Sequence, residues 1–404
     1  MSQHFHHTRL KYYFWSIVVL NIFIRLINLD LPLLEGSATR QAQNAMSAAY
    51  FYEEYFSLLF PKIPLNGPSD YYHALEIQWI PYIVAFFYKI SGGVYPFIFR
   101  IISIIFTFFT LILLFRFFAK FTSRSFALIG MFFFGLSPIS IYLGRSAQYE
   151  MPIIFFTVAT LYYFYHWIQT EQKKFLYLSC LGLFFAASLK IPTLHLLLPI
   201  TYMMFKKWGW ECFRKNIPLG MSLIAIIAVQ CWLQYLRTLG DNGTLVHYDL
   251  SYNLERMRLM FLSADFYKNV YHQSLNYVLT PVGFVLFFLG LSLRKVHRDE
   301  IIFCLWLLGV GIFYILMPEQ FGVHGYYHIH YLPIAAFFMM KPFIHLYRWS
   351  LSHKAPFNAS VPIKVLISLF LICSMRYAIP FFKIPENKRY TLKAAEIAKQ
   401  YIPR

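Results

Sequence analysis

Residues 76–91 read EIQWIPYIVAFFYKIS, and whether this segment crosses a membrane decides the fold of everything that follows it. A helical span needs about 20 apolar residues; this segment is short and carries Pro81. Charge settles the reading. The later basic loops are Arg116/Lys120/Arg124, Lys173/Lys174, Lys206/Lys207/Arg214/Lys215, Arg294/Lys295/Arg298 and Arg348/Lys354. If residues 76–91 stay on one face, all of these fall on the side of the basic amino terminus (His4, His6, His7, Arg9, Lys11). If the segment crosses, they all land on the opposite side, against the tendency of Lys and Arg to collect in cytoplasmic loops. The segment therefore reads as a juxtamembrane helix on the outer face.

Composition agrees with a membrane chain. Of 404 residues, 58% are hydrophobic and only 13% charged, with mean hydropathy +0.51; a soluble domain carries about 25% charged residues. Repeated apolar runs make this an all-α polytopic membrane protein, because hydrocarbon offers the backbone no hydrogen-bond partner outside a helix or a closed barrel. Eleven spans are expected: 12–29, 95–118, 125–143, 151–168, 175–189, 192–205, 217–235, 274–293, 300–317, 330–347 and 362–380. They form one transmembrane module, 1–380, with a short extracytoplasmic tail, 381–404. The amino terminus is cytoplasmic and the carboxyl terminus extracytoplasmic, in a plasma (inner) membrane. The net charge of +18 is then topology, with no nucleic acid implied. Cys180, Cys212, Cys231, Cys304 and Cys373 form no metal or disulfide spacing.

The first outer loop, 30–94, holds most of the chemistry. Residues 39–58 have the composition of an interfacial helix, residues 61–72 read as irregular loop, and residues 76–91 form the second juxtamembrane helix. Glu35 and Glu76 stand ahead of these helices as candidate general bases. Arg40, Arg145 and Lys190 lie on the outer face, where topology does not call for basic residues; they suit a lipid phosphate, Arg by a bidentate fork and Lys as a point charge. Arg25, within the first span, either snorkels or meets a partner. Glu150 and the run HGYYHIHYLP (His324–Pro333) place polar and aromatic groups on the same face. His324, His328 and His330 do not make a strong zinc pattern, so no metal site is read, and a divalent cation is left open. Residues 236–273 form a loop long enough to be a lid or an acceptor site. Asn242 and Asn358 fit glycosylation sequons too short to carry weight. A tail at 390–401 has an amphipathic helical look. Without internal repeats, a secondary transporter is disfavoured.

In this order and on this topology, the motifs resemble the GT-C membrane glycosyltransferases, the bacterial relatives of protein O-mannosyltransferases and of the lipid A aminoarabinose transferase. They are Arg40-Gln41, Glu76, Arg100, Leu136-Ser-Pro138, Arg145 with Glu150 and Pro152, Lys190-Ile-Pro192, and His324-Gly-Tyr326-Tyr327 ahead of Pro333. The resemblance implies inverting transfer of a sugar from a polyprenyl-phosphate donor to a lipid, glycan or protein acceptor in the envelope. A loop carboxylate, Glu76 or Glu35, would act as base. Arg40, Arg145 and Lys190 would hold the donor phosphate, with Gln43, Glu150, His324, Tyr326 and Tyr327 lining the substrate. The chain departs from that pattern at Gln43 and Ser37, where relatives carry Asp, and at Ile77-Gln78-Trp79, where Lys-Pro-Pro is usual. The rival readings are a lipid-linked sugar flippase or transporter, and an inactive GT-C-like envelope protein.

Overall fold

The computed structural model describes residues 2–62, 76–215, 217–239, 250–352 and 360–394, and among them there is no strand. The helices run in order α1 (Ser2–Leu26), α2 (Ala38–Glu53), α3 (Trp79–Ser91), α4 (Pro96–Phe118), α5 (Arg124–Leu136), α6 (Pro138–Leu143), α7 (Glu150–Thr170), α8 (Lys173–Leu189) and α9 (Leu197–Trp208). They continue as α10 (Ile217–Thr238), α11 (Leu250–Leu262), α12 (Ala264–His272), α13 (Thr280–Ser292), α14 (Ile301–Leu316), α15 (Pro318–Val323), α16 (Leu332–Ser352) and α17 (Ser360–Ala378).

A helix stands at each of the eleven expected places, and among the described residues six segments are long and apolar enough to cross a membrane: 96–118, 150–170, 264–292, 298–316, 325–352 and 360–394. Several expected spans are not single rods. The run 125–143 breaks between α5 and α6, because Pro138 has no N–H and holds Ser137 extended at ψ 138°. The run 192–205 opens with a 3-10 turn, Ile191–Leu196, and 274–293 with a π-helical segment, Gln273–Leu279. The juxtamembrane helices are shorter than expected: α2 ends at Glu53 rather than at 58, and α3 begins at Trp79, which leaves Glu76 ahead of the helix. The long loop 236–273 contains α11 and α12. The irregular stretch from 63 onward, both sequons and the tail beyond 394 lie outside the described residues.

At one end of the bundle, buried ion pairs tie the loop before α14 to its neighbours. Lys206 reaches Asp299, which also accepts from Tyr165 Oη at 3.1 Å. Lys341 Nζ lies 2.5 Å from Glu300 Oε1 and donates to the Leu293 carbonyl. Pro342, inside α16, cannot bond back to the Phe338 carbonyl. Gly290 of α13 sits against that carbonyl so closely that any Cβ would clash at 1.9 Å.

At the other end, the chain between α1 and α2 is held by side chains from distant elements. Of the two readings of Arg25, snorkelling or meeting a partner, the structure shows the second, with partners inside the chain. It is fully buried and donates to Asn21 O and Oδ1, and to Gly135 O, Ser140 O and Ser140 Oγ across the α5–α6 break. Lys388 Nζ caps the carbonyls of Leu34 and Gly36 at 3.1 and 3.2 Å. Gly36 sits at φ +53° with the Tyr142 ring where a Cβ would be, so no other residue fits there without displacing that ring. Tyr142 Oη accepts from the Ser37 N–H at 2.7 Å and fixes the entry to α2.

Candidate active site

Two polar clusters lie at this end, and they divide the residues picked out from sequence. The first is sealed. Glu35, 1% exposed, meets Arg100 at 2.5 Å. Arg100 also donates to the carbonyls of Asn28 and Leu29. Burial pushes the Glu35 carboxyl above its ordinary value, against the opposing pull of Arg100. Arg145 is fully buried beside it. Its guanidinium is spent on backbone carbonyls: Arg25 at 3.3 Å, Phe381 at 2.9 Å, Ile27 at 2.7 Å and Asn28 at 2.8 Å, with the Phe382 ring 4.6 Å away. Burial, and then the charge of Arg100, lower Arg145 to about 10. Four of the five Arg145 N–H groups are thus committed to backbone carbonyls, three of them on the α1–α2 connection and its helix end. Glu35 is likewise a buried ion-pair partner without access to an acceptor.

The second cluster opens to the surface through Arg40 and Glu76 and brings them together with Tyr149, Lys190, Glu150, Tyr326 and Tyr327, of which all but Tyr327 are buried. Helix α2 carries Arg40 into it because polar side chains pin the helix to the α6–α7 loop. Gln41 accepts from the Ala147 N–H at 3.0 Å and donates to the Glu35 carbonyl, and Asn44 donates to the Ala147 carbonyl at 2.9 Å. Gln78 positions Glu76: its amide donates to the Glu76 carbonyl, and its oxygen accepts from Tyr149 Oη at 2.6 Å and Ser47 Oγ at 3.3 Å. Trp79 donates to Ser188 Oγ at 3.1 Å and anchors the start of α3 on α8.

Arg40 Nη2 donates to both carboxylate oxygens of Glu76 at 2.9 Å, and the two side chains remain 15% and 24% exposed. The Arg40 guanidinium lies over the Tyr149 ring at 5.3 Å. Burial alone would raise the Glu76 carboxyl, but Arg40 and then Lys190 more than offset it, so it sits below its ordinary value. Lys190 Nζ pairs with Glu150 Oε1 at 2.7 Å. It also lies 3.8 Å from the Tyr327 ring centroid and 4.9 Å from that of Tyr326. His324 is stacked on Tyr326 at 5.4 Å; burial, then Lys190 and Arg40, lower its pKa and favour the neutral ring. Gln43 stands three residues after Arg40 on α2, half-buried.

Sequence reasoning left Tyr149, Gln78 and Tyr142 unassigned, and it quoted Arg100 without a partner. Tyr149 had a signal, since it adjoins Glu150 and precedes the first turn of a span. Among the described residues, no three His, Cys, Asp or Glu side chains stand together as metal ligands.

Comparison with known proteins now bears on this geometry. Residues 78–235, which take in Tyr149, Glu150 and Lys190 and begin after Arg40 and Glu76, match the family described as dolichyl-phosphate-mannose-protein mannosyltransferase. No curated protein matches the chain. The fold is similar to the Archaeoglobus fulgidus oligosaccharyltransferase tethered to an acceptor peptide: TM-score 0.55 at 11% identity, over 97% of this chain and 58% of that one. It is also similar to ArnT from Cupriavidus metallidurans bound to undecaprenyl phosphate: TM-score 0.60 at 10% identity, over 96% of this chain and 80% of that one. The chain spans about three fifths of the oligosaccharyltransferase, so at these identities the likeness is one of fold. The family match thus covers about two fifths of the chain, and the ArnT-like fold extends over nearly all of it.

Proposed function

We propose that the protein transfers a sugar, with inversion, from a polyprenyl-phosphate donor to an envelope lipid, glycan or protein acceptor at the open cluster. The observation that carries this is the convergence of two cation–carboxylate pairs, Arg40–Glu76 and Lys190–Glu150, beneath Tyr326 and Tyr327. Two cations within one partly exposed site can take the non-bridging oxygens of a phosphodiester, Arg40 through its fork and Lys190 as a point charge. Glu76, partly exposed and held below its ordinary value, accepts the proton from the acceptor hydroxyl or amine as the new bond to the anomeric carbon forms. The bond to the donor phosphate then breaks, and Arg40 and Lys190 hold the phosphate charge that develops. Gln43, Glu150, His324, Tyr326 and Tyr327 line the substrate.

The assignment of Glu76 over Glu35 rests on exposure, and that of Arg40 and Lys190 over Arg145 on what each already binds. The family match and the ArnT-like fold support the donor class. The charge pattern supports eleven spans, with the amino terminus cytoplasmic and the site on the extracytoplasmic face of the plasma membrane. The test is transfer from a labelled undecaprenyl-phosphate sugar in vesicles bearing the protein. Glu76→Gln should lower turnover by about 10²–10⁴-fold, the usual contribution of a general base. Unchanged transfer would remove Glu76 from the mechanism.

A further inference from the structure

Inward of Lys190, several buried polar atoms have no hydrogen-bond partner: both ring nitrogens of His330, Thr157 Oγ1 and Glu150 Oε2. Their positions are related. His324, Tyr327 and His330 are spaced three apart along a 3-10 turn (Gly325–Tyr331 with His324 as its N-cap), and such spacing eclipses side chains on one face. Glu150 and Thr157 are seven residues apart on α7, two turns along one face. Tyr327 therefore stands near both, with Lys190 3.8 Å from its ring centroid and the His330 ring 6.4 Å away.

The protein around His330 cannot satisfy it. Phe313, 5.7 Å away, has no polar atom. His195, 6.4 Å away, has both nitrogens occupied: one faces the Pro192 carbonyl at 2.8 Å and the other accepts from Trp306 Nε1 at 3.2 Å. Buried polar groups in native proteins are nearly always paired, so these atoms call for a partner from outside the chain. A neutral imidazole offers one N–H and one lone pair, a threonine hydroxyl can do both, and a carboxylate oxygen only accepts. That set does not suit a phosphate, which only accepts. It suits a group that donates and accepts at once, which is a sugar hydroxyl.

We propose that His330, supported by Thr157, is a specificity-determining residue that reads the hydroxyls of the donor sugar once its phosphate is held by Arg40 and Lys190. This inference rests on the phosphate reading above and names what lies beyond it. A polyol can both donate to and accept from these atoms, which a bare lipid phosphate cannot. The orphaned atoms supply the discrimination, because a sugar that cannot pair with them leaves them unsatisfied.

The test is binding to the full chain in nanodiscs, with undecaprenyl phosphate and its mannosyl, glucosyl and aminoarabinosyl derivatives as probes. Wild type should bind at least one glycosylated probe about tenfold more tightly than the bare phosphate, the scale of one or two well-made hydrogen bonds. His330→Leu should abolish that increment and leave the bare phosphate affinity unchanged. His330→Asn, which keeps a donor and an acceptor, should retain part of it, and Thr157→Val should lose several-fold. Unchanged thermal melting of each variant separates these effects from misfolding. A full increment in His330→Leu would overturn the inference and leave ordered water only as the partner of these atoms. The absence of any increment in wild type across the panel would overturn it equally. Failure of wild type to bind undecaprenyl phosphate would instead show that the phosphate reading itself is wrong, and would take this inference with it.

Discussion

Two ion-pair clusters stand side by side at one end of the bundle, and they use the same residue types for opposite ends. In the sealed cluster, Glu35 and Arg100 are buried, and Arg145 spends its guanidinium on four backbone carbonyls. In the open cluster, Arg40 and Glu76 keep part of their surface, and each charge has one partner that a substrate could replace. Burial wins over the cation at Glu35 and raises its carboxyl; the cations win over burial at Glu76 and lower it. Charge near a membrane face therefore does not identify a site. What separates these two is burial: Glu35 and Arg100 are shut away from solvent, while Arg40 and Glu76 keep part of their surface.

The difference is most sharply broken by removing one partner of the sealed pair. Arg100→Leu strands a buried carboxylate and two backbone carbonyls, so it should cost about 3–5 kcal/mol of stability, read as loss of folded protein and a lower melting temperature in detergent. In the open cluster, Arg40→Ala should leave melting nearly unchanged. It should weaken binding of undecaprenyl phosphate by about 10–100-fold, since a charge-assisted hydrogen bond contributes about 1.5–3 kcal/mol. Tyr327→Leu removes the ring under Lys190 and should raise the donor KM by several-fold to about tenfold, for a desolvated cation–π contact of about 1–2 kcal/mol.

The pH response separates the clusters in another way. A carboxyl held below its ordinary value contributes its ion pair above the unfolded value and loses it as pH falls through the lower folded value. With Glu76 so held, turnover should stay flat from neutral pH to about pH 5 and fall only below the ordinary carboxylate range near 4.3. Arg40→Gln removes the largest lowering influence and should move that acid limb to higher pH. A limb that does not move would mean that another group controls it. The smallest effect is expected at Lys388, whose ammonium caps two loop carbonyls. Lys388→Met should cost about 1 kcal/mol in stability with little change in donor affinity.

Much of the fold was legible in the sequence, because hydrocarbon forces long apolar runs into helices. A helix stands wherever a span was expected, and α3 falls within residues 76–91. The breaks at Pro138 and at the 3-10 and π turns were not read, since composition reports how apolar a run is but not whether it is continuous. Of the site, Arg40, Glu76, Glu150, Lys190, Tyr326 and Tyr327 come together as their outer-face placement led one to expect. Arg145 and Glu35 share that placement, yet both are buried and paired within the chain. Nothing in their local sequence shows that the carbonyls of Ile27 and Asn28 need a donor, or that Arg100, 65 residues away, closes on Glu35. Pairings at that separation are set by packing.

The account turns on which of the two glutamates is the base. The direct measurement is single-turnover sugar transfer from labelled undecaprenyl-phosphate sugar in nanodiscs, with Glu76→Gln and Glu35→Gln compared in proteins that melt like wild type. Loss of transfer by about 10²–10⁴-fold in Glu76→Gln, with Glu35→Gln close to wild type, is the predicted result. Retained transfer in Glu76→Gln with loss in Glu35→Gln would contradict it.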